Sequence, residues 1–274
     1  MLARTLKIVS VALLILGMSS VPAIGFQAGS FQLIPGVRSW LGLETSYLWL
    51  SGGFLVPAGG RPGSGTLVSA SGQLGVNQTE AASVYLRSLI LNSHLIDLDY
   101  WFFAPTGVRR VAEEFRFQNK TYEEGTLVEA SLEFNWIRAA YGYRLWKVKG
   151  WNLSPRIGVH HVRHRITINA ESEEAGLLSN TRKLDGTYPV LGMEARYLFP
   201  FGFDLRAELE GIHLITRGFL VHGRVGASWQ MHPDVTASVD VFNRTVRFIE
   251  TNQELNNQWL YVVSGISTSI AFSF

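Results

Sequence analysis

The sequence predicts an all-β chain folded as a single transmembrane antiparallel up-and-down barrel of about ten strands. Three observations lead there. The last stretch, Trp259 to Phe274, alternates with a period of two, placing Leu260, Val262, Ile266, Ile270, Phe272 and Phe274 on one side and Gly265, Ser267, Ser269, Ala271 and Ser273 on the other. The second side is small and uncharged, where a soluble sheet would show water its Lys, Glu and Thr. Short turns alternate with longer loops along the chain, the asymmetry with which membrane barrels treat their two ends. Finally, no apolar run approaches the roughly 20 residues of a transmembrane helix, so a membrane crossing must use strands.

The N-terminus reads as an export signal. Arg4 and Lys7 precede the apolar run Ile8 to Gly17, and Ala23-Ile24-Gly25 supplies small residues before Phe26. This divides the chain into a signal peptide, residues 1–25, and one barrel domain, residues 26–274. There is no cysteine, which excludes disulfides, thiolate metal sites and a cysteine nucleophile. A net charge of +2 points to no nucleic-acid partner. Plentiful Phe, Tyr and Trp suit the aromatic girdles of a membrane barrel.

The first strand, Val37 to Leu50, sets Leu41, Leu43, Tyr47 and Trp49 against Arg38, Glu44 and Ser46. Ser51 to Gly65, broken by Gly and Pro, reads as a loop, Thr66 to Gly75 as a weak strand and Val76 to Ala81 as a turn. Ser83 to Phe103 reads as one long strand with Val84, Leu86, Ile90, Ile96, Leu98, Tyr100 and Phe102 on one face. A hairpin breaking at Asn92-Ser93 is the alternative and would change the strand count; the ambiguity of the region Thr66 to Phe103 leaves eight or twelve strands as alternatives to ten. Ala104 to Gly125 reads as a loop extended as a hairpin in which Phe115 and Phe117 alternate with Glu114 and Arg116. In Thr126 to Trp146 the pattern changes phase. Glu129, Ser131, Glu133 and Asn135 alternate with Val128, Leu132, Phe134 and Trp136, and then Arg138 and Arg144 oppose Ile137, Tyr141 and Tyr143. This requires either a β-bulge near Asn135 to Ile137 or an upper part that has left the membrane. Trp151 to Ala170 follows the tight turn 147–150, and Glu171 to Asp185 reads as a long polar loop. The strands Tyr188 to Phe199, Phe203 to Leu214, Phe219 to Met231, Val235 to Ile249 and the closing stretch complete the count.

With apolar faces toward lipid, the opposite faces collect a lumen network: Arg87, Arg138, Arg144, Arg156, Arg196, Arg206, Arg224 and Arg244 against Asp97, Asp99, Glu133, Glu194, Asp204, Glu208, Glu210 and Asp240. Equal numbers of the two signs suit a narrow interior, where charges must be paired. The expected function is therefore a non-enzymatic envelope barrel, structural or narrow-pored, with its centre near Glu194, Arg196, Arg206, Glu208 and Glu210.

The stretch Trp259 to Phe274 resembles the closing strand of bacterial outer-membrane β-barrels, which typically ends in Phe after alternating aromatic or aliphatic residues. That resemblance implies a signal for the barrel-assembly machinery carried by Tyr261, Ile270, Phe272 and Phe274, and surroundings of outer-membrane lipid and lipopolysaccharide. His161, Arg163 and Arg165 are the candidate lipopolysaccharide contacts, at the upper end of their strand. His160 and His164 share a face, but no third ligand of fixed spacing accompanies them, so no metal or cofactor is expected. The alternative function is an enzyme at the rim. Asp97-Leu-Asp99, placed near the outer mouth, is similar in outline to the acidic pair of the omptin outer-membrane proteases, which faces an Asp-His pair. Glu210 and His213, three apart on a strand, point to opposite sides and match that second pair poorly. A lipid A-modifying site would need Ser and His, and no compact pair of them occurs.

Overall fold

The computed structural model describes residues 35–55, 66–118, 120–172, 176–214, 218–252 and 255–274; the expected signal peptide lies outside them. Ten long antiparallel strands form the wall: β1 (Val37–Leu55), β3 (Gln78–Ile90), β4 (His94–Phe103), β8 (Leu127–Tyr143), β10 (Trp151–Ser172), β11 (Gly176–Leu198), β12 (Phe203–Leu214), β13 (Gly218–His232), β14 (Val235–Asn252) and β15 (Leu255–Ser273). Pairing of β1 with β15 and of β8 with β10 closes the barrel. Five short strands are accessory. β2 (Leu67–Ser69) pairs with β1, β5 (Thr106–Arg110) extends β4 along β8, β9 (Trp146–Val148) lies at the foot of β10, and β6 (Phe115–Phe117) with β7 (Lys120–Tyr122) forms a separate hairpin.

The expected ten strands arise from two corrections that offset each other. Thr66 to Gly75 supplies only the three-residue β2, whereas Ser83 to Phe103 is two wall strands joined by a turn at residues 91–93. Leu91 and Asn92 there take left-handed backbone angles, φ 51° and 58°, a region that Asn tolerates far better than most residues. The turn reverses the direction of β4, so Asp97 and Asp99 rise from the short-turn end. The expected loop Glu171 to Asp185 is likewise mostly wall, since β10 and β11 stay paired up to Ser172 and Gly176.

No bulge interrupts β8; its pairing with β4 and β10 is continuous. What changes is the chemistry of its two faces. Below Trp136, Arg138, Ala140 and Gly142 face inward and Ile137, Tyr141 and Tyr143 face out. From Trp136 upward, Val128, Ala130, Leu132, Phe134 and Trp136 are buried inside, while Glu129, Ser131, Glu133 and Asn135 lie outside. The same inversion runs along β10, where Ile157 and Val159 give way outside to Arg163, Arg165 and Thr167, and Arg156 gives way inside to Val162, Ile166 and Ile168. A lipid-facing wall must be apolar outside, and a water-facing wall must be apolar inside. The lower half therefore fits the hydrocarbon, and the upper half fits water around an apolar core.

That core fills the upper barrel. Leu48, Phe54, Trp101, Phe103, Trp259 and Tyr261 pack with the inner residues of β8 and β10, and the β6–β7 hairpin inserts Phe115, Phe117 and Tyr122, all fully buried. Phe103 stacks on Phe134 at 4.4 Å between centroids, and Phe54 meets Phe117 edge-on at 5.4 Å. Burial pushes the Tyr122 phenol up in pKa, against the pull of its hydrogen bond from Asn180. Thus Phe115 and Phe117 alternate with charged neighbours as expected, but the hairpin seals the mouth instead of standing clear of it.

Glycine and proline mark places where side chains or pairing demand them. The Tyr85 ring lies where a Cβ on Gly42 would stand, and its hydroxyl is 3.2 Å from Ser269 Oγ. Gly42→Val should lower the unfolding free energy by about 1–3 kcal/mol through overpacking, measured by denaturant titration in vesicles. Adding Tyr85→Ala should recover part of that loss. Pro189 limits the pairing of β11 with β12, which stops at Leu191 opposite Gly211; proline has no N–H to continue the ladder.

Candidate functional site

The lower lumen holds the charge cluster. Because β4, β8, β10, β11 and β12 each turn alternate residues inward, Asp97 and Asp99, Arg138, Arg156, Glu194, and Glu208 and Glu210 meet there with Arg87 of β3. Arg87 Nε donates to Asp97 at 2.7 Å and its terminal nitrogen to Glu194. Arg156 donates to Glu194 at 2.6 Å and to Asp97, and its guanidinium lies 3.2 Å from Glu210 and 3.5 Å from Glu208. Arg138 bridges Asp99 at 2.7 Å and Glu210 at 2.6 and 2.8 Å, and also bonds Glu208.

Separate pairs surround this centre. Arg196 and Asp204 are joined by two hydrogen bonds of 2.9 and 2.6 Å; Arg206 reaches Asp240 at 2.9 Å, and Arg224 holds both oxygens of Glu44 at 3.0 Å. Arg244 has no carboxylate within ion-pair distance among the described residues. Its guanidinium stands 4.2 Å from the centroid of Trp101 and 5.2 Å from that of Trp136, at the floor of the aromatic core. A polar cavity of about 60 Å³ at the short-turn end is lined by Arg87, Arg196, Arg206, Asp204 and Asp240, which gives water access to the foot of the network.

The structure thus gathers Arg87, Arg138, Arg156, Glu194, Arg196, Arg206, Glu208, Glu210, Arg224 and Asp240 inside the barrel. Arg144 sits half-buried at the foot, beyond the end of β8. Glu133 is a correction. It faces outward and pairs with Arg165 at 3.1 Å, because above Trp136 the outer face is the polar one. Glu44 takes its place in the lumen; its position on the polar face of the first strand was the available signal. The acidic pair is also corrected. Asp97 is 4 % exposed, inside the lower barrel and bonded to arginine, not at the outer rim, because the turn at 91–93 reverses the strand that carries it.

His160 and His164 face the same way, as their spacing requires, but lie in different surroundings. His164 stacks on Phe134 at 4.0 Å within the aromatic core. His160 meets Glu210 at 3.0 Å, and with His222 these groups present potential metal-ligand atoms within 4.8 Å of one another. The donor set argues against a cation there. Trp136 Nε1–H can only donate, and it points at His160 Nδ1 at 2.9 Å, so the neutral ring carries its proton on Nε2, toward Glu210. Arg138 and Arg156 already occupy that carboxylate. His213 faces outward, opposite to Glu210.

His161, Arg163 and Arg165 are on the outer wall just above the apolar band, with Arg163 paired to Asp185 at 3.0 Å and His161 bonded to Thr187 at 3.0 Å. On β15, Ile270 and Phe272 face out, whereas Tyr261 is buried in the core. Phe274 lies at the seam, exchanging backbone hydrogen bonds with Ser39.

No protein-family model and no curated protein matches the chain. Among solved structures it is similar to the outer membrane protease OmpT from Escherichia coli, with a TM-score of 0.58 and 11 % identity over 86 % of this chain and 97 % of that one. Looser likenesses include the translocator domain of autotransporter NalP from Neisseria meningitidis, with a TM-score of 0.43 and 9 % identity over 90 % and 91 % of the two chains. Ail of Yersinia pestis follows at a TM-score of 0.36 and 8 % identity over 86 % and 99 %. The fold is that of bacterial outer-membrane β-barrels, and the OmpT likeness is one of fold alone.

Proposed function

We propose that this protein is a closed, non-catalytic outer-membrane barrel whose role is to hold a rigid β-walled platform outside the cell. The observation that carries this reading is the stacking of two plugs: a buried arginine-carboxylate network in the lower lumen, and an aromatic core above it. Conduction needs a continuous wet path, and the fully buried layer of Trp101, Phe103, Phe134 and Tyr261 stands across it. Catalysis by the acidic residues would require them to reach a substrate, yet Asp97, Glu194, Glu208 and Glu210 are buried and bonded to guanidinium groups.

The surroundings follow from the outer faces. The lower apolar wall belongs in outer-membrane hydrocarbon after export of the chain. The outward Ile270 and Phe272 suit recognition of the closing strand by the barrel-assembly machinery. Arg163 and Arg165 stand at head-group level, where lipopolysaccharide phosphates would compete with Asp185 and Glu133 for them.

In planar bilayers the refolded protein should insert without steady conductance, and it should not cleave peptide substrates when lipopolysaccharide is supplied. Steady channels in wild type would overturn the closed barrel. Proteolysis lost on Asp97→Asn would restore the rim-enzyme reading.

A further inference from the structure

Strands β11 and β12 set two pairs of like charges face to face. Glu194 stands directly opposite Glu208, and two residues nearer the short-turn end Arg196 stands directly opposite Arg206. Like charges in that position repel each other, so each pair calls for an ion of the other sign between its members. The carboxylate pair has one: Arg156 lies 2.6 Å from Glu194 and 3.5 Å from Glu208. The arginine pair has no carboxylate bonded to both members among the described residues. Arg196 turns down to Asp204, and Arg206 reaches across to Asp240 two strands away.

Three guanidinium groups at the foot keep donors that no described residue takes. Arg196 uses Nε and Nη2 on Asp204, Arg206 uses Nη2 on Asp240, and Arg87 uses Nε and Nη2 on Asp97 and Glu194. Arg196 Nη1, Arg87 Nη1, and both Nε and Nη1 of Arg206 have no hydrogen bond among the described residues, and none of these nitrogens is shut off from solvent. Acceptors are scarcer, since Arg196 and Ser228 together cover both oxygens of Asp204. The half-buried Arg144 has no side-chain partner among the described residues, and its charge adds to those of Arg196 and Arg87. The first 36 residues contain no Asp or Glu, so the segment leading into β1 brings no counter-charge.

Space is present where these donors meet. The polar cavity of about 60 Å³ has Arg87, Arg196, Arg206, Asp204 and Asp240 in its wall. One water-sized atom needs about 10–15 Å³ of such space, so the cavity holds about four of them, the bulk of one phosphate group. Gly226 keeps it open. It lies in register between Arg206 and Asp240, and a Cβ there would strike the Asp240 carboxylate, displacing it from the wall.

We infer that this cavity binds a phosphate-type oxyanion from the periplasmic side, held between Arg196 and Arg206 with Arg87 in the same wall. The planar arginine fork matches the oxygens of such an ion. The ion takes the place between two arginines that Arg156 takes between two glutamates, with the signs exchanged. Asp240 opposes it, which limits the affinity. A free phosphate and the phosphate monoester of a lipid head group present the same oxygens at the opening. The site goes beyond the platform reading and does not depend on it, because a barrel closed above can hold an ion at its foot.

The test titrates inorganic phosphate, and separately dihexanoyl phosphatidic acid, into the full-length refolded barrel in a phosphate-free maltoside detergent at low salt, followed by calorimetry. Saturable binding to a single site is expected. Binding of inorganic phosphate assigns the ligand to solution, and binding of the lipid monoester alone assigns it to the inner leaflet; both support the site. Arg206→Gln should weaken binding about tenfold or more, since it removes donors and leaves Asp240 unopposed. Asp240→Asn should tighten it about three- to tenfold by removing the opposing charge. This opposite response is one that loss of structure would not produce. Arg206→Lys keeps the charge without the fork and should weaken binding about threefold, which covers the case of an Arg206→Gln barrel that does not refold. Three results would overturn the inference: no saturable binding of either titrant, unchanged affinity in both Arg206 variants, or weaker binding in Asp240→Asn. Conductance is silent in every case if the barrel is closed, so the two readings fail separately.

Discussion

Replacing Arg156 by leucine should lower the unfolding free energy by about 3–5 kcal/mol, the usual cost of stranding buried partners when one member of an ion cluster is removed. Arg156 is the hub of the lower plug: its guanidinium bonds Glu194 and Asp97 and approaches Glu208 and Glu210, and it is only 3 % exposed. Leucine would fill part of the volume but leave four carboxylates to share Arg87 and Arg138. Arg206→Leu is the informative contrast. It breaks one pair, with Asp240, beside the polar cavity at the barrel foot, where water can solvate the remaining carboxylate. Its loss should be about 1–2 kcal/mol smaller, since solvent access relieves most of the burial penalty. Denaturant titration in lipid vesicles, followed by tryptophan fluorescence, measures both. Equal losses would mean that the cluster does not act as a unit.

The second large effect separates the two halves of one strand. Ile157 and Thr167 both face outward on β10, with Ile157 in the apolar band and Thr167 in the polar wall above it. Ile157→Arg should cost about 2–4 kcal/mol, the price of a cation at the bilayer midplane of a barrel. Thr167→Arg should stay within about 0.5 kcal/mol, as an exposed surface change does. Folding yield into vesicles gives an independent reading, with Ile157→Arg lowering it and Thr167→Arg leaving it unchanged.

Which parts of this were legible in the sequence follows from the range of the interactions involved. Alternation is local, so the inward and outward faces of β1, β4, β10 and β15 could be read directly, and so could the divergence of Glu210 and His213. The change of phase in β8 was visible too, at Asn135 to Ile137. Its meaning was not, because a bulge and a change of solvent leave the same mark on the sequence, and only the continuous pairing of β8 distinguishes them. The turn at Leu91-Asn92 carries neither Gly nor Pro, so periodicity ran through it unbroken, and the acidic pair was placed at the wrong end. The pairing of Arg224 with Glu44, 180 residues apart, and the gathering of His160, Glu210 and His222 depend on closure of the barrel, which no local pattern encodes.

The wall leaves the membrane near the level of Trp136 and continues into water with its faces inverted. The chain contains no cysteine, so single cysteines can be introduced along the outer face of β10, at Ile157, Val159, His161, Arg163, Arg165, Thr167 and Asn169, without background. Labelling by a membrane-impermeant maleimide, with the protein in lipid vesicles, should fail at residues 157 and 159 and become fast at 165, 167 and 169. Protection continuing through Thr167 and Asn169, or fast labelling at Ile157, would contradict the account.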